Sequence, residues 1–206
     1  CDSHVTLHLG KSYLASLTDY SLIIKAPGIP AHLPELMRVR AGGAAFSSLT
    51  EIFFANCPGR IIGITGTKGK STTASLIAHL LKSSGLKAQL VGNIGSPALD
   101  TLKDPITMKG RSQCHSQCWY VYELSSYQLE ELEHSPQISV FLNIFAEHLD
   151  HHQSYERYLE AKTRITKFQQ KTDYFVYNSA LDALTEIASH SPATPVPFSL
   201  LDTTAL

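Results

Sequence analysis

The 206-residue sequence has no long apolar run, no excess of either charge and few cysteines. No stretch of about 18 apolar residues is present, so we expect no transmembrane helix, and no pattern typical of a signal peptide is found. Lys and Arg number 17 and Asp and Glu 18, so a net charge of −1 gives no broad basic surface for nucleic acid. The hydrophobic content of 43% predicts a globular protein with a substantial core.

The four cysteines do not form a pattern typical of disulfide-rich or zinc-binding proteins. Cys114 and Cys118 form a C-x-x-x-C pair around His115, whereas a zinc site usually takes closer pairs and two further ligands. We therefore expect free thiols in a solvated loop and a reducing, cytoplasmic location. Because the sequence starts at Cys1 rather than Met, we expect it to be part of a longer protein.

The most informative segment joins an apolar strand, a glycine-rich turn and the start of a helix. Residues 60–65 are strand-like, and Gly66-Thr67-Lys68-Gly69 then makes a turn into Lys70-Ser71-Thr72. Backbone N–H groups in such a turn, with the positive end of the helix, bind the phosphates of a nucleotide. Lys70 would contact the outer phosphates, and the Ser71 hydroxyl would ligate Mg²⁺.

The strict motif G-x-x-x-x-G-K-[ST] is not fully met, because Ile64 stands at its first glycine. Gly66 and Gly69 therefore make the turn in a variant phosphate loop. The alternative is an ordinary junction between a strand and a helix. Glycine, lysine and serine together directly after a strand favour the phosphate loop.

Strands and helices alternate after residue 58, and the strands are continuous apolar runs, as in a sheet covered on both faces. The sequence thus predicts an α/β fold with a mostly parallel sheet, in a P-loop-type nucleotide-binding central domain at 58–206. Ligands of such sheets bind beyond the carboxyl ends of the strands. The predicted strands are 60–65, 87–91, 119–124, 138–144 and 174–177, and the predicted helices are 70–84 and 154–170.

The sequence pattern of residues 1–57 predicts part of a small Rossmann-like α/β domain. A short strand at 20–25 ends near Pro27, which fixes φ, and Gly28, which permits positive φ. Turn-forming residues at 56–59 mark the predicted domain junction. Helical patterns lie at 32–40 and 48–55, and a polar surface excursion is expected at 103–118.

Three polar residues end or follow the strand predicted at 119–124. Glu123 is placed to hold Mg²⁺ beside the phosphates, and the alternative is a solvated strand end. Ser125 and Gln128 follow directly, and they could either bind a substrate or cap the next helix.

A histidine-rich run, Glu147 to His152, follows the strand predicted at 138–144. Histidine ligates metals or changes charge near neutral pH. His148 is the best candidate ligand because it is the first histidine after the strand. We expect His151 and His152 to be exposed.

Lys162 lies on the apolar face of a predicted helix. Tyr155, Tyr158, Leu159 and Ile165 mark that face, and Lys162 follows Tyr155 by seven residues. A buried lysine costs free energy unless its amine is paired or modified. Two interpretations stay open: the amine reaches solvent at the rim, or it has lost its positive charge, for example by carbamylation, and ligates a metal as an anion.

Together these motifs resemble the Mur ligase family of ATP-dependent amide-bond ligases. Thr65 to Ser71 resembles the family's ATP loop, and Glu123 to Glu130 resembles the branch that joins D-glutamate to UDP-N-acetylmuramoyl-L-alanine. The likeness covers nearly the whole chain, and truncation at both ends is expected. Further support comes from 92–95, 97–99, 148–150 and 161–162, and 26–29 resembles a turn that contacts the uridine nucleotide.

The resemblance implies a role for each candidate residue. ATP would bind at Gly66, Thr67, Lys68, Gly69, Lys70, Ser71 and Thr72. One Mg²⁺ would be held by Ser71 and Glu123, and a second by His148 and carbamylated Lys162. The substrates UDP-N-acetylmuramoyl-L-alanine and D-glutamate are small molecules, and the former would contact Pro27, Gly28, Asn93, Ser125, Gln128 and His148. The residues expected to be catalytic are Lys70, His148 and Lys162, in a monomer with no nucleic-acid or membrane partner.

Two positions depart from the family's usual residues in a tolerable way: Lys68 replaces Asn, and Ala146-Glu147 replaces Glu-Asp. The larger departure is length, since the family has three domains. The chain would hold part of a UDP-binding domain at 1–57 and part of the ATP-binding domain at 58–206. A C-terminal domain that should contact D-glutamate would be absent, so we expect the 206-residue chain alone to be inactive.

In the implied reaction, the substrate carboxylate attacks the γ-phosphate of ATP, and the amine of D-glutamate then attacks the acyl phosphate. Lys70 and two Mg²⁺ ions would neutralise the charge that opposes the first attack. A folate polyglutamate ligase is one alternative, in which neither the uridine turn nor the residues at 125–128 are expected. An ATP-binding regulatory module without ligase activity is the other.

Overall fold

The computed structural model describes residues 5–102 and 118–199. The described residues divide into two compact units, which meet in the chain between Leu49 and Thr50. The assignment of residues 1–57 to a UDP-binding domain and 58–206 to an ATP-binding domain stays a prediction.

The first unit contains a small parallel sheet of two strands. Its elements are η1 Leu17–Asp19, β1 Leu22–Ile24, α1 Pro34–Ala41 and β2 Ala45–Ser47. Pro34 lies in the first turn of α1, where a missing N–H removes no helical hydrogen bond. The turn after β1 is held by Lys25, whose Nζ donates to the carbonyl of Ile29 at 3.0 Å.

The second unit is built on one six-stranded sheet. Its strands are β3 Arg60–Thr65, β4 Ala88–Gly92, β5 Trp119–Glu123, β6 Ile138–Phe141, β7 Tyr174–Asn178 and β8 Thr194–Phe198. Every neighbouring pair is parallel, in the spatial order β4-β5-β3-β6-β7-β8. The predicted α/β fold with a mostly parallel sheet is therefore confirmed.

Helices cover both faces of this sheet. On one face, Ala74 and Ala78 of the helix at Lys70–Ser83 pack in a cluster with Ile62 and Ile64 of β3. On the other face the strands present aromatic rings. The ring centroid of Phe53, in the helix at Leu49–Asn56, lies 5.5 Å from that of Tyr120. The helices of this unit are α2 Leu49–Asn56, α3 Lys70–Ser83, η2 Ala98–Leu102, α4 Ser126–Leu129, α5 Leu149–His152, α6 Tyr155–Lys167 and α7 Asp182–His190.

The edge strand β8 was not predicted, because Pro195 and Pro197 weaken its strand pattern. The Thr194 N–H donates to Asp173 O at 2.9 Å, so alternate residues of β8 bond to the sheet. Both prolines occupy the intervening positions, whose missing N–H groups would point away from β7. Among the described residues β8 is the last strand of the sheet, and prolines are tolerated in such a position because their missing N–H groups break no hydrogen bond to β7.

The solvated loop predicted to hold Cys114 and Cys118 lies only partly within the described residues. Cys114 and most of the polar excursion at 103–118 lie outside the described residues. Cys118 is buried in the core, so its predicted place in a solvated loop is wrong. None of the described helices has both the length and the apolar character needed to cross a membrane.

Candidate nucleotide-binding and catalytic site

The phosphate loop between β3 and α3 depends on two glycines. Gly69 precedes α3 with φ of +83°, in the left-handed region that other residues rarely adopt. A Cβ atom at Gly66 would lie 3.1 Å from the Cβ of Leu142, so that position also requires a small residue. No side chain caps the first turn of α3, where Ser71 and Thr72 are exposed, so its N–H groups face solvent and are open to an anion.

Asn143, which the sequence analysis placed inside a strand, holds this loop in shape. Its Oδ1 accepts from the N–H of Lys68 at 2.9 Å, and its Nδ2 donates to the Lys68 carbonyl at 3.0 Å. Its own carbonyl accepts from the Thr67 N–H at 3.0 Å. The chain after β6 therefore runs beside the phosphate loop, which is why β6 ends at Phe141 and not at 144.

Lys70 is half-buried at the phosphate loop. Its Nζ donates to the carbonyls of Gly66 and Thr67, both at 2.9 Å. Burial lowers the pKa of Lys70, while the negative charges of Glu123 and Glu147 act to raise it. A cation that is already partly stripped of water, and held only by carbonyls, is well suited to bind phosphate oxygens.

Lys162 lies beneath the same loop and is 1% exposed. Its Nζ donates to Gly66 O at 3.0 Å and to Thr65 Oγ1 at 3.2 Å, and lies 5.0 Å from the centroid of the Tyr158 ring. Burial and, to a smaller extent, the positive charge of Lys70 lower its pKa to about 7, although the negative charge of Glu147 acts to raise it. The inward orientation is confirmed, and the interpretation with the amine at the solvent rim is wrong.

Glu123 ends β5 and is 4% exposed, so a solvated strand end is excluded. Its Oε2 is buried without a hydrogen-bond partner among the described residues. Buried polar atoms are normally paired, and an unpaired carboxylate oxygen beside a phosphate loop fits the ligand chemistry of Mg²⁺.

Ser125 and Gln128 form a capping box at the start of α4. The Ser125 hydroxyl accepts from the Gln128 N–H at 3.3 Å, and Gln128 Oε1 accepts from the Ser125 N–H at 2.9 Å. Of the two roles open to them, helix capping is therefore the one the structure contains. Substrate contact stays a prediction.

The other predicted substrate residues lie in turns that follow strands. Asn93 is exposed directly after β4, in a turn closed by Gly95, where an added Cβ would lie 2.2 Å from Leu90 O. Pro27 and Gly28 lie after β1 in the first unit, and Gly28 has the expected positive φ of 88°. The part these three play in binding stays a prediction.

His148 stands directly before α5 with the left-handed angles φ 55° and ψ 35°. Its side chain is 43% exposed, and its Nε2 lies 3.7 Å from a carboxylate oxygen of Glu147. The other oxygen of Glu147 accepts from Lys68 Nζ at 2.5 Å. Lys68 and Glu147, which the resemblance marks as departures, contact each other in the structure. That hydrogen bond lowers the pKa of Glu147.

His151 and His152 are buried, so their predicted exposure is wrong. They are 8% and 3% exposed, because the fold packs their rings against Tyr127 and brings their Nε2 atoms to Glu130 and Ser126. The ring centroid of Tyr127 lies 4.6 Å from that of His151 and 5.6 Å from that of His152. Burial lowers the pKa of His152.

A parallel sheet covered on both faces, with a glycine-rich phosphate loop leading into α3 and a buried acid ending the neighbouring strand, defines a P-loop-type nucleotide-binding α/β protein. Residues 64–204, more than half of the chain, match the model of the Mur ligase middle domain. The chain therefore belongs to the Mur ligase family.

Curated relatives named "UDP-N-acetylmuramoylalanine--D-glutamate ligase" match most of the chain. The protein from Acetivibrio thermocellus is 36% identical over 93% of this chain and 39% of its own length. The protein from Symbiobacterium thermophilum is also 36% identical, over 95% of this chain and 41% of its own length. The chain thus spans about two fifths of the length of these relatives.

Solved structures share the fold at lower identity. The UDP-N-acetylmuramate:L-alanyl-gamma-D-glutamyl-meso-diaminopimelate ligase from Neisseria meningitides aligns with a TM-score of 0.59 and 17% identity. The alignment covers 90% of this chain and 61% of that protein. At this identity the likeness establishes the fold alone.

Proposed function

We propose that this chain is the ATP-binding and carboxylate-activating part of a ligase that joins D-glutamate to UDP-N-acetylmuramoyl-L-alanine in peptidoglycan precursor synthesis. The observation that carries the proposal is the buried carboxylate oxygen of Glu123, which has no hydrogen-bond partner in the part of the chain that the structure describes. It lies at the carboxyl end of β5, in the strand next to β3 and its phosphate loop. The names of relatives 36% identical to the chain support the choice of substrates.

The residues at the phosphate loop fit a magnesium nucleotide. Gly66 to Thr72 would bind the phosphates, with Lys70 at the outer ones, and Ser71 and Glu123 would hold one Mg²⁺. His148 and Lys162 would hold a second. Bound Mg²⁺ supplies charge neutralisation, which lets a carboxylate approach a polyphosphate. Contact of the substrate with Pro27, Gly28, Asn93, Ser125, Gln128 and His148 is part of the proposal.

Carbamylation of Lys162 is the finer part of the proposal. The neutral amine attacks the carbon of CO₂, an N–C bond forms, one C–O π pair moves onto oxygen, and the amine proton leaves to solvent. The product is an anionic carbamate, which could ligate Mg²⁺. Support comes from the pKa of about 7, because a buried amine with that pKa is largely neutral, and so nucleophilic, just above neutral pH.

The carbamate has its own test. We expect Lys162→Ala to abolish ligation and short-chain carboxylates to restore part of it, because they can occupy the space left by the carbamate. Lys167→Ala changes an exposed lysine of the same helix and should keep full activity. A near wild-type rate for Lys162→Ala would contradict the assignment.

The function is tested by measuring ADP release from the protein encoded by the complete reading frame. We expect turnover only when both UDP-N-acetylmuramoyl-L-alanine and D-glutamate are present. ADP release that ignores both substrates would identify an ATP-hydrolysing regulatory module instead. Release that requires a pterin substrate and glutamate would identify the folate-ligase alternative.

A further inference from the structure

The buried histidines that follow His148 meet a carboxylate from a neighbouring helix. His151 Nε2 lies 3.1 Å from Glu130 Oε2, and His152 Nε2 lies 3.0 Å from Ser126 Oγ. One ligand atom each of Glu130, His151 and His152 lies within 4.8 Å of the other two. The His151 and Glu130 side chains are 7% and 23% exposed, so the group is inside the protein but reachable from its surface.

We propose that Glu130, His151 and His152 bind a divalent transition-metal ion of the zinc class. Two imidazole nitrogens and one carboxylate oxygen are a donor set that Zn²⁺ accepts, with water in the fourth position. Mg²⁺ prefers oxygen ligands, so the two histidines select against it. The proposal does not depend on the proposed ligase activity.

The geometry needs only a small adjustment to close around an ion. Tetrahedral ligands at zinc distances lie roughly 3.3 Å apart, and the separation of His151 Nε2 from Glu130 Oε2 is already 3.1 Å. The ligand atom of His152 lies within 4.8 Å of the other two, so it would have to approach them by at most about 1.5 Å. Tyr127 packs against both histidine rings and limits their other rotations.

A metal here would link the two turns that lead away from β5 and β6. Glu130 follows α4, and His151 and His152 belong to α5. The N–H groups of both histidines bond to the carbonyl of His148, at 3.2 and 3.0 Å. The ion would therefore fix the backbone that positions His148.

The test is a Co²⁺ titration of the chelator-treated, nucleotide-free full chain, followed by visible absorption. We expect one equivalent of Co²⁺ to give tetrahedral d–d bands, Zn²⁺ to displace it, and excess Mg²⁺ to leave it in place. Glu130→Gln and His151→Gln should each weaken binding at least about tenfold, as losing even an outer-shell partner of a metal can. Zn²⁺ should raise the Tm of the wild type, and each variant should need correspondingly more Zn²⁺ for the same rise.

Three histidine variants outside the proposed site show whether the ion is held by His151 and His152 or by other histidines. His79→Gln and His190→Gln change exposed histidines on α3 and α7 and should leave Co²⁺ binding unchanged. His148→Gln should also keep the bands. If His148→Gln weakens Co²⁺ binding as much as His151→Gln does, the ion occupies the proposed magnesium site and the inference is overturned. It is equally overturned if the folded wild type gives no bands.

Discussion

At the residue scale, Lys162 shows how burial changes what a side chain can do. An amine at 1% exposure, bonded to a carbonyl and a hydroxyl, is poorly compensated for the water it has lost. Among the described residues, no carboxylate forms an ion pair with it. Lys162 therefore loses its proton more easily than an exposed lysine, which is the property that the proposed carbamylation requires.

This burial predicts that the contribution of Lys162 to the stability of the protein increases as the pH rises above about 7. Folded Lys162 loses its proton near pH 7, whereas in the unfolded chain it keeps the proton up to about 10.5. Between these values the unfolded state binds more protons, so the free energy of unfolding gains up to about 1.4 kcal/mol per pH unit from this residue.

The measurement is denaturant unfolding at several pH values in buffers free of CO₂. Lys162→Met should remove this contribution to the pH dependence. Lys167→Met, at an exposed position of the same helix, should keep it. Equal pH dependence in the wild type and in Lys162→Met would contradict the explanation.

Glu123 makes a second prediction at this scale. An uncharged amide is a weak Mg²⁺ ligand, so in Glu123→Gln, Mg²⁺ should no longer strengthen ADP binding as it does in the wild type. We expect the Mg²⁺-dependent increase in ADP affinity, measured by calorimetry with and without Mg²⁺, to fall at least about tenfold. Glu160→Gln removes an exposed carboxylate from α6 and serves as the control. An unchanged Mg²⁺ dependence in Glu123→Gln would rule out this ligand.

At the scale of elements, the phosphate loop is shaped by a segment distant in sequence. Asn143 and Lys68 are 75 positions apart, yet two hydrogen bonds join the Asn143 amide to the Lys68 backbone. The loop also carries the Thr67 hydroxyl, which accepts from the Phe145 N–H at 3.0 Å. The turn after β6 is therefore part of the nucleotide-binding element.

We expect Asn143→Ala to weaken ADP binding about tenfold, because the lost bonds, each worth about 1 kcal/mol, hold the loop in its binding shape. Asn56→Ala removes a comparable bond to Ile52 O, on α2 and away from the loop. Calorimetry should show weaker ADP binding for Asn143→Ala and wild-type ADP binding for Asn56→Ala. If both bind ADP as the wild type does, the loop needs no support from Asn143.

At the scale of the whole molecule, the chain spans about two fifths of the length of its curated relatives. The parallel sheet and the phosphate loop fall inside this part, and about three fifths of the length of those relatives is not covered by it. We expect the 206-residue chain to form no amide with UDP-N-acetylmuramoyl-L-alanine and D-glutamate, and the protein from the complete reading frame to do so. A product peak from the 206-residue chain, in a chromatographic assay of both proteins, would contradict this.

Much of the fold and some of the site could be predicted from sequence because they depend on local rules. The apolar runs predict buried parallel strands, and the glycines and Lys70 after β3 predict the phosphate loop. The helical spacing of Tyr155, Tyr158 and Lys162 predicts which side faces inward. Each of these patterns can be read within a few residues of sequence.

Local patterns were therefore enough to predict the α/β class, the phosphate loop and the inward-facing Lys162. The strand order, β8 with its prolines, the hydrogen bonds from Asn143 to the loop and the burial of His151 and His152 became evident from the three-dimensional fold. These features join residues far apart in the chain: His152 and Ser126 are 26 positions apart, and Asn143 and Lys68 are 75 apart. The short run from Glu147 to His152 has no helical spacing that marks a buried face, so the burial of its histidines depends on what distant segments pack against them.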